Sequence, residues 1–221
     1  MIWYTNLTMS YRYTHLTPLL SGWPTILFLS GLGMLLAILL SFLPSLEYSS
    51  TTRLLITQQL GAVDAYTAGR SAERIAEDLS NAVYTSTFYD SVLAEEHSID
   101  LAFFPEDELK RRKKWDRAVN TSVSRSTGLL TIRAYHPDPV QANAIASIVA
   151  SVLVEEGWTY TSGGNVTIQV VDEAVNSRFP VRPNIFVNGF SGLILGGLAG
   201  VGYLLIQSER VKRRHQLVHE D

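Results

Sequence analysis

Acid–base or metal chemistry needs histidines and carboxylates held together, and His97, His136, Asp138, Glu155 and Glu156 are the residues of this chain that come nearest to supplying it. Their spacing matches no metal-ligand pattern, and Asp138 already has a structural use as a helix cap. The sequence contains no nucleophile elbow, no glycine-rich phosphate loop and no carboxylate pair in a recognisable site. Catalysis therefore has no residue set to stand on, and neither an enzyme nor a cofactor is expected. The absence of cysteine excludes disulfides, thiolate metal sites and lipidation at cysteine. What chemistry remains is electrostatic. The basic run Lys110 to Lys114 reads as a solvated helix face, with anionic head groups or an anionic polymer as the sharper alternative. Trp115 beside it reads as core. The basic residues cluster in short runs within a chain of net charge -3, so no nucleic-acid partner is expected.

The elements that must position these residues fall into three parts. No charge occurs between Thr17 and Glu47 or between Arg182 and Glu209, and a spanning helix needs roughly 20 mostly apolar residues. The apolar stretches read as transmembrane helices over residues 18–44 and 183–207. The first is too long for a signal-peptide core and has no small-x-small cleavage site before Glu47. Arg210, Lys212, Arg213 and Arg214 place the tail, residues 208–221, on the cytoplasmic side. With two spans the N-terminal segment, residues 1–17 with Arg12 and His15, is cytoplasmic too. Arg53, Arg178 and Arg182 then lie on the opposite side. Residues 45–182 form an extracytoplasmic domain large enough for its own core.

Within that domain, Ser49 to Thr57 reads as a strand and Arg70 to Leu93 as one helix, with Ile75, Leu79, Ala82, Val83, Tyr89 and Leu93 on its buried face. Pro105 and the acids Glu106 to Glu108 open a second helix running to about Val123. Leu129 to Tyr135 alternates like a half-buried strand. Asp138 as N-cap, Pro139 at the first helical position and Gln141 three residues after the cap write a helix start with a capping box. That helix buries Val140, Ala144, Ile145, Ile148, Val149, Val152 and Leu153 and stops near Gly157. Gly163–Gly164 then turns the chain into a last strand, Val166 to Val171. The fold class is α+β (mixed α/β): a small mixed sheet in which the second and third strands are parallel and the first and third antiparallel, flanked by two transmembrane helices.

Gly192, Gly196 and Gly200 repeat at four-residue spacing within the second span and point to close helix packing. The partner, another copy or the first span, is left open, and the first span offers only Gly31 and Gly33. Pro180 and Pro183 stiffen the segment entering the second span.

Four segments together resemble the Wzz-type chain-length determinants, or polysaccharide co-polymerases. They are Tyr48 to Ile56, Leu129 to Ala146 with its Asp138-Pro139 and Ala142-Asn143-Ala144 stretches, Val170 to Ala174, and Pro180-x-x-Pro183 before a glycine-rich span. The long helical extension of larger members is absent, and Arg182-Pro183-Asn184 replaces a Ser-Pro-Lys-like element. The resemblance implies a non-enzymatic homo-oligomeric scaffold in a bacterial plasma membrane. Copies would form a ring that regulates the chain length or export of a surface polysaccharide, partnered by a polysaccharide polymerase and in contact with lipid bilayer and possible polysaccharide. The alternatives are an activator of a separate cytoplasmic tyrosine kinase, as for some short members, or an extracytoplasmic sensor. The chain carries no ATP-binding loop, and its tail from Gln207 to Asp221 contains no tyrosine.

Overall fold

The computed structural model describes residues 21–58, 64–95, 99–161 and 166–218, with the side chains of residue 95 and residues 211–218 outside the description. Residues 1–17 with Arg12 and His15, His97 and the Gly163–Gly164 turn lie outside the described residues. The chain divides into two compact units, one of residues 45–182 and one joining the segments on either side of it.

The central unit is an α+β sandwich built on β1 (Tyr48–Gln58), β2 (Val119–Ser124), β3 (Leu129–His136) and β4 (Val166–Asn176). The strand order is β2-β3-β1-β4, and every neighbouring pair is antiparallel. This corrects the mixed sheet expected from sequence. β3 and β4 do run in the same direction, but β1 lies between them, so the helix connecting them spans a split β-α-β unit.

Helices α2 (Ala65–Ala82), α3 (Ser86–Glu95), α4 (Glu108–Ala118) and α5 (Pro139–Glu156) supply the remaining layer. Leu54 and Ile56 of β1, Leu130, Ile132 and Ala134 of β3, Leu79 of α2, and Ile145, Val149 and Leu153 of α5 meet in one core.

The single helix expected over Arg70 to Leu93 is two. Asp64 caps α2 through Thr67 N–H at 2.8 Å, and the chain breaks after Ala82. Thr85 Oγ1 then donates to Ala82 O (2.7 Å) and accepts from Phe88 N–H (3.4 Å). Val83, Phe88, Tyr89 and Val92 on both sides of the break enter the same core, so apolar periodicity runs through it undisturbed.

The helix expected to reach Val123 stops at Ala118, because Val119, Thr121 and Val123 alternate with polar residues and pair as β2 with β3. Its cap is Asp107, which accepts from Lys110 N–H at 2.9 Å, two residues beyond Pro105. β4 runs to Asn176, past the Val171 end expected from sequence.

At α5, Asp138 accepts from Val140 N–H (2.9 Å) and Pro139 occupies the first turn. The capping box does not form: Asp138 N–H donates to His136 Nδ1 (3.0 Å), and Gln141 Oε1 accepts from Asp100 N–H (2.9 Å). Val140, expected inside, is exposed, whereas Ile145, Ile148, Val149, Val152 and Leu153 are buried. At the far end of α5 Gly157 leaves room for Ile168, whose Cδ1 a Cβ there would meet at 2.6 Å, while Leu79 Cδ2 would lie in tight contact at 3.3 Å.

The second unit consists of α1 (Trp23–Ser41) and α6 (Ile185–Val218), packed against each other. Both contain stretches long and apolar enough to cross a membrane, Trp23–Ser41 and Ile185–Arg210. Asn184 Oδ1 caps α6 by accepting from Val187 N–H at 3.1 Å.

Candidate functional site

Among the described residues the helices of the central unit pack on the sheet face that carries Leu54, Ile56, Leu130, Ile132 and Ala134, whereas Arg53, Thr57 and Arg133 on the opposite, open face are exposed. Strand alternation sends Ser49, Thr51 and Arg53 of β1 to that open face, and the register sets them opposite Tyr135, Arg133 and Thr131 of β3. Arg53 and Arg133 are therefore diagonal cross-strand neighbours, a relation with Cα atoms roughly 7–8 Å apart. A concave cavity of about 610 Å³ lies over this part of the face. Among the described residues Arg53, Arg133, Arg182, Ser49, Thr51, Tyr135, Ser177 and Asn176 supply its polar lining and Val175 and Val181 the rest, and Asp172 and Glu173 line an adjoining depression that shares Thr51, Arg53 and Val175.

The three arginines are held differently. Arg53 pairs with Asp172 at 3.1 Å, and both side chains are half-exposed, so the pair orients Arg53 while adding little stability. Arg182 is fixed on three sides: Nη1 donates to Arg117 O at 2.7 Å and approaches Glu47 Oε2 at 3.7 Å, and its guanidinium lies 3.4 Å over the Tyr135 ring. Arg133 is the least engaged, with Nε donating to Thr51 Oγ1 at 3.3 Å and its side chain exposed.

Glu47 and Arg182 also join the two ends of the unit. Glu47 N–H donates to Arg182 O (2.9 Å), and Val181 N–H donates to Glu47 O (2.8 Å). Pro180 and Pro183, which have no N–H of their own, bracket this bridge. The entering and leaving chains of the central unit thus meet at one point.

His136 is the buried titratable group among the residues that could do chemistry. It is 6% exposed, lies with its ring 4.1 Å from that of Phe103, and has no hydrogen-bond partner at Nε2 among the described residues. Lys114 Nζ rests on the other part of that cluster, 3.7 Å from the Phe103 ring centroid. Burial lowers the His136 pKa below its ordinary value of 6.5, partly offset by the Asp138 backbone and the charges of Asp138 and Asp100, while Lys114 adds to the lowering. The folded state therefore binds fewer protons here than the unfolded chain, and stability falls as pH drops below about 6.5. Amide exchange of β3 and the start of α5 in the full-length protein, corrected for intrinsic rates, should accelerate between pH 7.5 and pH 5. His136→Asn, which keeps an acceptor for Asp138 N–H, should flatten that dependence; an unchanged profile in the variant would remove His136 as its source.

Gly192, Gly196 and Gly200 all face α1. A Cβ on Gly192 would strike Ala37 Cβ and Gly33 O, and one on Gly196 would strike Leu29 O. At Gly200 it would come within 3.0 Å of Ile26 Cα. The sequence leaves the partner of this row open, and among the described residues it is α1, with Gly33 facing Gly192 and Gly196 and Gly31 facing open space. Asn188 Nδ2 adds a bond to Ser41 Oγ at 2.9 Å. Arg210 lies on α6, and the backbone helix continues through Lys212, Arg213 and Arg214.

The basic run is less solvated than its composition suggests. Arg111 Nε donates to Tyr89 Oη at 2.9 Å, and Lys114 lies on Phe103, whereas Lys110, Arg112 and Lys113 are exposed. Among the described residues no group of three or more His, Asp or Glu side chains is placed to hold a metal ion, and Glu155 and Glu156 end α5 away from His136 in sequence. The arginine cluster leaves no local signal in the sequence, because its members come from β1, β3 and the segment after β4, and only the strand register brings them together.

No family model and no curated protein matches this chain. Fold and site together define an α+β domain with an arginine-lined open sheet face, accompanied by two helices long and apolar enough to cross a membrane.

Proposed function

We propose that the protein is a two-pass membrane scaffold of the polysaccharide co-polymerase kind, with both termini cytoplasmic, which assembles as a homo-oligomer and regulates the length or export of a bacterial surface polysaccharide. The observation that carries this reading is the way the resembling segments join. Tyr48 to Ile56 lies in β1, flanked by β3 and β4, which contain Leu129 to Tyr135 and Val170 to Ala174. Asn143, in the Ala-Asn-Ala stretch of α5, donates to Ala174 O at 2.8 Å and reaches Ser50 Oγ at 3.4 Å. Pieces that are scattered in sequence therefore make one bonded unit, which supports reading them as one module.

The membrane part of the reading is supported by apolar side chains such as Phe28, Leu40, Phe186 and Leu198, all well exposed on α1 and α6, which lipid tails would cover. The basic residues from Arg210 to Arg214 favour a cytoplasmic tail. No catalytic role is assigned. The mass of the full-length protein in lipid nanodiscs tests the scaffold: a discrete high-order oligomer is expected, and a strict monomer would sink the ring and shift weight to kinase activation or sensing.

A further inference from the structure

We infer that the cavity on the open face of the sheet binds an oxyanion carried on a hydroxyl-rich chain, that is, an acidic saccharide. The oxyanion follows from the lining alone. Arg53, Arg133 and Arg182 border one concavity; Asp172 offsets Arg53 and Glu47 offsets Arg182, and among the described residues Arg133 is the guanidinium of the three with no carboxylate partner, so the positive charge open to a ligand centres on it. Two of the three are already positioned, Arg53 by Asp172 and Arg182 by Glu47, the Arg117 carbonyl and the Tyr135 ring. Such preorganisation lowers the ordering cost of binding.

Arg133 donates one bond, from Nε, to Thr51, which leaves the forked end of its guanidinium for a carboxylate or phosphate. The cavity's volume falls in the range of small-ligand sites.

The carrier follows from the rest of the lining. Ser49, Thr51, Tyr135 and Ser177 contribute hydroxyl groups and Asn176 an amide, whereas Val175 and Val181 are the apolar members. That inventory hydrogen-bonds sugar hydroxyls and offers little to an acyl chain. Naming a saccharide rests on the polysaccharide reading above; the oxyanion does not.

The test is calorimetric titration of the full-length protein in phosphatidylcholine nanodiscs with oligogalacturonate, with a neutral maltooligosaccharide of the same length and with inorganic phosphate. Oligogalacturonate should bind, weaken as salt is raised and lose about tenfold or more in affinity in Arg133→Gln, with Arg133→Lys intermediate because it keeps the charge but not the fork. The neutral oligomer should not bind measurably. Equal binding of acidic and neutral oligomers, or of oligogalacturonate to the native chain and Arg133→Gln, would overturn the site. Phosphate binding without oligogalacturonate binding would overturn the saccharide, as would Arg133-dependent binding to nanodiscs containing phosphatidylglycerol in its place. The outcome is separable from that of the scaffold: a monomer that binds oligogalacturonate through Arg133 refutes the ring alone, and an oligomer that does not bind it refutes this inference alone.

Discussion

Gly196→Leu is expected to separate α1 from α6 while leaving residues 45–182 folded. A Cβ at this position runs into the backbone of Leu29 and lies 3.0 Å from Ser30 Cα, atoms that cannot rotate out of the way. Gly33 and Gly192 already meet backbone to backbone one turn further along, so neither helix has room to shift locally. Overpacking typically costs about 1–3 kcal/mol and occasionally more, and a clash with main chain belongs at the upper end. The interhelical bond from Asn188 to Ser41, of a kind worth about 0.6–2 kcal/mol in membranes, is too weak to hold the pair against it.

The chain has no cysteine, which makes the readout clean. A Gly197 Cβ would lie 2.9 Å from Ser30 Oγ, so Ser30→Cys with Gly197→Cys should crosslink within one chain under oxidation. Adding Gly196→Leu should abolish the crosslink, and Gly31→Leu, which meets nothing within 4 Å, should leave it intact. Equal yields in all three would show that the helices pair by another face. Because the glycine row is occupied by α1 of the same chain, any self-assembly must use other surfaces.

What could be read from the sequence was whatever is written locally. Asp138 and Pro139 announced the start of α5, and uninterrupted apolar runs announced α1 and α6, because caps and burial in a continuous stretch depend on neighbours in sequence. What could not be read depends on partners far away. β2 was absorbed into the preceding helix since Val119-Asn120-Thr121-Ser122-Val123 becomes a strand only by pairing with Ala134 to Leu130. The sheet was expected to contain a parallel pair because strand–helix–strand implies one only when nothing is inserted between the strands, and β1, earlier in the chain, is inserted.

The arginine face shared that obstacle. Arg53 and Arg182 look in sequence like unremarkable charges beside the apolar stretches, and Arg133 like the polar half of an alternating strand. The Gln141 capping box failed for a different reason: His136, two residues before the cap, supplies the acceptor that Gln141 was expected to provide. A local motif lost to a nearer competitor.

Trp115→Ala should be the most damaging single change in the central unit. Trp115 is the largest fully buried side chain of the domain, 1% exposed, with Tyr89 and Phe104 at ring-centroid distances of 6.1 and 5.9 Å. Its Nε1–H donates to Val83 O at 2.8 Å, and Val83 is the cap residue that follows the last residue of α2. One indole therefore fills the space between α4 and the α2–α3 break and occupies a carbonyl that the helix end has released. Truncating a buried tryptophan to alanine costs about 3–5 kcal/mol, a large part of the 5–15 kcal/mol that holds a typical domain together.

Trp115→Phe separates the two contributions. It keeps most of the ring volume and removes the donor, and stranding a buried carbonyl costs about 1–3 kcal/mol. Pulse proteolysis of the full-length protein in nanodiscs along a urea series should place the midpoints in the order native, Trp115→Phe, Trp115→Ala. A Trp115→Phe midpoint equal to the native one would mean that Val83 O finds water and that packing alone fixes the break. An unchanged Trp115→Ala midpoint would mean that α4 is not part of the cooperative core. That would leave the basic run it carries, from Lys110 to Lys114, free to move independently of the sheet.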